Sequence, residues 1–266
     1  MRIDLLSLCQ RSEEALPWLL SRLDLTGSRQ ETLQGFEEVS LHFHTLAAGA
    51  LLVEGNPSRF REELHNAASH WLRFLKHQRA RQWAAPAVSR NKPLLGAILA
   101  SHWELAHPLA ETSPDHWQEK EEYEDDACWA LLLQQLVLTR GGRSPRLDTL
   151  LARLGALGGE LNEHRQSWVR GLVGREGLAL NDAFAALCVL HQEDIQRQVQ
   201  AVTASEPKLA PYRFLWFEGL ALLRIWERTG LPGPCEAHPY CPPMARLPLE
   251  TQASKSPAAE AHDAER

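Results

Sequence analysis

Several things are scarce in this 266-residue chain, and each scarcity removes a class of answer. Basic charge is one: 28 Lys and Arg stand against 34 Asp and Glu, a formal net charge of -6. Coating a nucleic acid needs a basic face, so no nucleic-acid partner is expected. The five cysteines, at 9, 128, 188, 235 and 241, are scattered without a paired spacing. They make no disulfide framework and fit a reducing compartment. Tyrosine is rare at three residues, whereas tryptophan reaches nine. No segment alternates apolar and polar residues in the manner of a strand. The first residues, MRIDLLSLCQRSEE, have too short an apolar run and an early Asp4 for a signal peptide, so a cytoplasmic protein is expected.

Long apolar runs free of charge are also missing, and one late stretch organises the chain. Tyr212–Thr229, YRFLWFEGLALLRIWERT, has apolar side chains around nearly its whole circumference. Pro211 precedes it and Gly230, Pro232 and Pro234 follow, which marks a helix start and stop. Glu218 and Arg224 in its middle would be costly in lipid, so no membrane partner is expected. A helix apolar all round has to be wrapped by other helices. Truncation here should destroy the fold rather than trim it.

Eight further segments carry helical periodicity: Glu13–Leu23, Gln30–Val53, Ser58–Trp83, Leu94–His107, Ala127–Thr139, Arg146–Leu157, Glu160–Val173 and Asn181–Val202. Gly55-Asn56-Pro57 joins two of them as an antiparallel hairpin, and the small residues Ala47, Ala48, Gly49 and Ala50 allow close approach. Pro17 interrupts the first segment early, and Pro108 is read as the stop of the fourth. The fold class is therefore all-α: one domain over residues 1–246, roughly nine helices in antiparallel hairpins around a buried C-terminal helix. Residues 247–266, rich in Ala, Glu, Ser and Pro, read as a disordered tail.

The chain carries no catalytic signature that survives a test of spacing, so it is not read as an enzyme. His102 and His107 flank Glu104, but five residues apart they diverge by about 140° around a helix, where a zinc-protease helix needs four. His102 and Glu104 with the later Pro234-Cys235 fail as a deaminase site, because the next cysteine is six positions on. Cys235, His238 and Cys241 form the most metal-like cluster, with three ligands where a structural zinc takes four. A loop packed over the central helix is the plainer account, and no cofactor is expected. Neither a phosphate-binding glycine loop nor a Gly-x-Ser-x-Gly elbow is present.

The informative polar feature is Glu111–Asp126, ETSPDHWQEKEEYEDD, with eight acids and one base. It carries -7 while the remainder of the chain carries +1. One or two acids at the start of the following helix would complement its dipole, but the excess repels itself. A surface for a basic partner protein accounts for the surplus. The candidate partner-binding residues are Asp115, Trp117, Glu119, Glu121, Glu122, Tyr123, Glu124, Asp125 and Asp126, the two aromatics serving as anchors.

Four stretches, YEDDACWALLLQQLVL, LDTLLARLGAL, LNEHRQSWVRGLV and FLWFEGLALLRIWERTGLPG with its PYCPP ending, resemble the bacterial Immunity protein 49 family over roughly residues 30–246. The most specific parts are Glu122-Tyr123-Glu124-Asp125 and Glu218-Gly219-Leu220-Ala221-Leu222-Leu223 with Gly230, Leu231 and the following proline. The resemblance implies a helical protein encoded beside a polymorphic toxin, including effectors of type VI secretion. It implies a cognate toxin as partner, blocked at its active site or substrate cleft. It supplies no residue-level inhibitory motif. A cytoplasmic inhibitor would face a toxin acting there, such as a nuclease. The competing reading is a tetratricopeptide-like adaptor or effector chaperone, although no repeat near 34 residues is present.

Overall fold

A computed structural model describes residues 4–200, 211–234 and 236–247. Ten α-helices account for most of them, and among the described residues the only β-type pairing is an isolated bridge between His238 and Cys241. The chain is all-α, as its periodicity predicts. No helix among the described residues is long and apolar enough to cross a membrane. The expected tail over 247–266 lies, apart from Leu247, outside the described residues.

Helix α1 spans Leu5–Arg22 and begins well before the predicted start, because Asp4 caps it by accepting the Leu6 N–H at 3.2 Å. Pro17 lies inside α1 without ending it. The residue is exposed, so water can satisfy the carbonyl its ring leaves free. Helix α2, Arg29–Leu52, opens on a reciprocal capping box between Ser28 and Glu31. Helix α3, Pro57–Ala80, follows the Gly55 turn with Asn56 as cap and Pro57 in the first turn. The α2–α3 hairpin buries Phe36, Ala47, Leu51, Phe60, Leu64 and Leu75, and the Phe36 and Phe74 rings meet at 5.5 Å. Gly49 serves a different neighbour from the one its small-residue setting suggests. A Cβ there would collide with the Cys9 sulfur, so the glycine sets how closely α1, rather than α3, docks on α2.

The segment predicted as one helix over Leu94–His107 is two, α4 at Lys92–Leu99 and α5 at Trp103–Thr112. Ser101 adopts the left-handed conformation (φ 60°), and the His102 N–H turns back to the Ala97 carbonyl at 3.0 Å. Pro108 lies inside α5 rather than ending it. Helices α6 (Glu124–Leu138), α7 (Pro145–Leu157), α8 (Glu160–Gly174) and α9 (Gly177–Gln200) then follow as sequential neighbours.

The central helix α10 is Phe217–Arg228, five residues shorter at its start than the apolar run predicts. Pro211–Arg213 forms a 3₁₀ turn instead, and the Trp216 N–H bonds the Tyr240 carbonyl at 2.9 Å, outside the helix. The Trp216 ring folds over Gly219, where any Cβ would strike it. Around α10, Phe217, Leu220, Leu222, Leu223, Ile225 and Trp226 are all buried, so the wrapping predicted for this helix is present. Arg224 crosses the packing by donating to the carbonyls of Leu99 at 3.1 Å and Ala245 at 3.3 Å and to Glu227 at 3.0 Å. A final 3₁₀ turn, Pro243–Arg246, closes over this arginine.

Two outcomes follow from this packing. Gly49→Ala should cost about 1–3 kcal/mol by overpacking, and most of that loss should disappear in a Cys9→Ala background. Urea unfolding of the two single variants and the double variant measures the coupling; additive losses would refute the contact. His44 is fully buried with its Nδ1 2.8 Å from the Tyr212 hydroxyl, and burial pulls its pKa from 6.5 to about 3. The unfolded chain therefore takes up this proton first, and the imidazole's contribution to stability declines as pH falls from about 6.5 toward 3. A His44 ring that titrates near 6.5 in the folded protein by NMR would contradict this.

Candidate partner-binding face

The acidic stretch forms the irregular connection from the end of α5 to the first turn of α6, and the structure divides its carboxylates into two groups. The first group is spent inside the molecule. Glu122 accepts three backbone N–H groups, from Val88 at 3.1 Å, Ser89 at 2.8 Å and Gln118 at 3.0 Å. It thereby ties the Ala87–Arg90 linker to this loop. Glu121 pairs with Arg29 at 3.1 Å, and the same guanidinium holds the carbonyls of Ala84 and Ala85. Glu124 pairs with Arg153 at 2.7 Å. Asp115 bonds His116 at 3.0 Å, which holds its carboxyl below the usual range, and its backbone carbonyl accepts from Arg146.

Trp117, predicted as an exposed anchor, faces inward instead. Its indole N–H donates to the Glu122 carbonyl at 3.1 Å, and Arg153 lies over its ring at 5.5 Å. The residue is half-buried against the core and braces the loop. Sequence spacing could not separate the two aromatics, since both interrupt the same run of acids.

The second group stays at the surface. Glu119 and Asp126 are exposed and Asp125 is half-exposed. Tyr123 is 79% exposed, an unusual position for a large ring. Beside it the Gly158-Gly159 turn, at φ 67° and 90°, brings the start of α8 to the start of α6. Between them lies a hollow of about 420 Å³, lined by Tyr123, Glu124 and Asp125 on one side and Leu157 to Asn162 on the other. Leu157 and Leu161 are 39% and 40% exposed, and Glu160 adds another carboxylate. Leu157, Glu160 and Leu161 are absent from the predicted face because they join it only through the fold. The sole signal for them is a Gly-Gly turn with leucine on both sides and an acid after it.

The hollow also answers why so many acids gather here. Neither α6 nor α8 has a side-chain cap at its N-terminus. Glu124, Asp125 and Asp126 occupy the first turn of one, and Glu160 and Glu163 that of the other. Two positive helix ends meeting at one place call for more negative charge than one would. Part of the surplus is thus local stabilisation, and the remainder rims an apolar surface.

The Cys235–Cys241 loop lines a smaller hollow of about 180 Å³, together with Cys188, His191 and Trp216. Cys235 lies outside the described residues, Cys241 is buried in the core with its thiol pushed up by desolvation, and His238 packs edge-on to Phe184 at 5.0 Å. Burial likewise pushes the nearby Cys188 thiol up to about 12, so both sulfurs are protonated and poorly nucleophilic near neutral pH. Among the described residues no group of three His, Cys, Asp or Glu could hold a metal. The two histidines at 102 and 107 each turn to a separate glutamate, Glu104 at 3.2 Å and Glu111 at 3.5 Å.

Replacing Glu122 with Gln should cost about 1–3 kcal/mol, because three backbone donors lose a charged acceptor. Faster amide hydrogen exchange at Val88, Ser89 and Gln118 is the expected sign, and unchanged protection there would refute the tie. In comparisons with known proteins, the chain matches no family model, no curated protein and no solved structure.

Proposed function

We propose that this protein is a cognate inhibitor of a toxin, docking through the face around Tyr123. The observation that carries the reading is the exposed Tyr123 ring beside Leu157 and Leu161, with the carboxylates of Asp125 and Glu160 on the same hollow. An aromatic anchor with apolar neighbours and a charged rim is the anatomy of a protein–protein interface. The rim is acidic, so the partner's complementary surface is basic. Toxins that attack nucleic acid or nucleotides carry such a surface at the active site, and covering it blocks access to the substrate. The likeness of Glu122-Tyr123-Glu124-Asp125 and of the α10 region to the Immunity protein 49 family supports the same reading.

Capture of the tagged protein from its own cells, with a high-salt wash and mass spectrometry, identifies the partner. One dominant protein with a basic toxin-like domain is the expected result; many weak partners would favour the adaptor. Against that partner, Tyr123→Ala should weaken binding at least tenfold, about 1.4 kcal/mol. Asp125→Lys with Glu160→Lys should slow association, most at low salt. Variants that fold normally yet bind and protect like the wild type would refute the face. Glu121, Glu122 and Glu124 are unsuitable for charge reversal, because their partners lie within the molecule.

A further inference from the structure

The side chains that wall the hollow of about 420 Å³ beside Tyr123 supply acceptors and an aromatic face, and no cation. Glu124 and Asp125 stand on its α6 side and Glu160 on its α8 side. Arg153 holds Glu124 at 2.7 Å and cancels its charge. Asp125 and Glu160 form no ion pair among the described residues, so two negative charges remain on the walls. The two helix N-termini offset about one of them, at roughly half a charge each, and the hollow stays negative.

A second, independent observation lies on the same wall. Asn162 lines the hollow and is 6% exposed. Its Nδ2 donates to the Gly158 carbonyl at 2.8 Å, which fixes that end of the amide as the nitrogen. The other end, Oδ1, has no hydrogen-bond partner. A buried acceptor without a donor is costly, and nothing within the chain relieves it. A water molecule would bring a donor to Oδ1 but no charge to the carboxylates; a cation that carries N–H groups serves both. The Tyr123 ring is also free, because every cation–ring contact among the described residues uses a tryptophan or Tyr212.

A ligand matched to these walls carries positive charge, several donors in one plane and an apolar stem. Arginine has all three: a fork of N–H donors, a flat cation that stacks on aromatic rings, and methylenes to lie along Leu157 and Leu161. An ammonium is compact and strongly hydrated, and reaches acceptors on two facing helices less well. We propose that the hollow is a socket for one arginine side chain of the partner protein. The guanidinium sits between Asp125 and Glu160, with an N–H toward Asn162 Oδ1 and its plane against Tyr123. The socket deepens the docking face and rests on that reading for the partner's identity, though not for its own chemistry.

The test is an NMR titration of the isotope-labelled full chain with Nα-acetyl-arginine amide, whose only charge is the guanidinium. Saturable shifts at the amides of Tyr123, Asp125, Gly159 and Asn162, with a Kd in the millimolar range, are expected. The citrulline analogue, alike in shape but uncharged, should bind at least tenfold more weakly, and the lysine analogue at least threefold. Asp125→Asn combined with Glu160→Gln should weaken arginine binding at least tenfold, while Tyr123→Phe, which keeps the ring, should retain it. Equal binding of the arginine and citrulline amides would overturn the proposal, as would undiminished binding in the folded double variant. Equal affinity for the lysine amide would overturn the choice of arginine. A captured toxin with no shifts from the arginine amide would remove the socket and leave the docking face standing. Saturable shifts with no toxin captured would do the opposite.

Discussion

Helix α10 is buried on almost every side, only its charged residues being partly exposed, and the rest of the molecule is arranged around that constraint. An isolated guanidinium could not survive where Arg224 sits, so the backbone must come to it. The carbonyl ending α4 and the carbonyl of Ala245 do so, with Glu227 supplying the countercharge. Glu227 also pairs with Arg246, which fastens the last turn over the helix. One largely buried charge thereby joins α10 and the C-terminal turn to α4, more than a hundred residues earlier in the chain. Packing of apolar side chains supplies most of the stability of such a bundle, but it is non-directional. The arginine gives the arrangement one register.

Much of this was readable from the residues alone. Long periodic segments such as α2, α3 and α6 stand where their apolar spacing puts them, and the all-round apolar character of Leu220–Trp226 correctly called for burial on every side. The failures cluster where proline or tertiary contact outranks local pattern. Pro17 and Pro108 lie within helices, each at the loss of one backbone hydrogen bond that does not end its helix. Ser101 takes a left-handed conformation that its neighbours do not announce. The start of α10 is delayed by a backbone bond from Trp216 to Tyr240, a contact that no local rule could supply.

The acidic stretch teaches a related lesson about charge. Net charge is additive along a sequence, but its purpose is not. Glu122, buried in three backbone hydrogen bonds, and Asp125, facing a hollow, contribute equally to the tally and play opposite parts. The convergence of two helix N-termini is visible only once Gly158 and Gly159 have turned the chain. For the same reason Trp117 and Tyr123, six residues apart, end on opposite sides of one loop.

The hydrogen bond between Trp216 and Tyr240, with those from Arg224 to Ala245 and from Arg61 to Leu247, has a bearing on synthesis. During translation the apolar faces of α2, α3 and α4 emerge long before the helix that packs against α4 and its C-terminal fastening. Until residues near 247 have cleared the ribosome, the core has no lid, and the nascent chain carries a large adhesive surface. Such a protein is a natural client for chaperones that shield growing chains, and slow elongation near its end would prolong the most vulnerable stage.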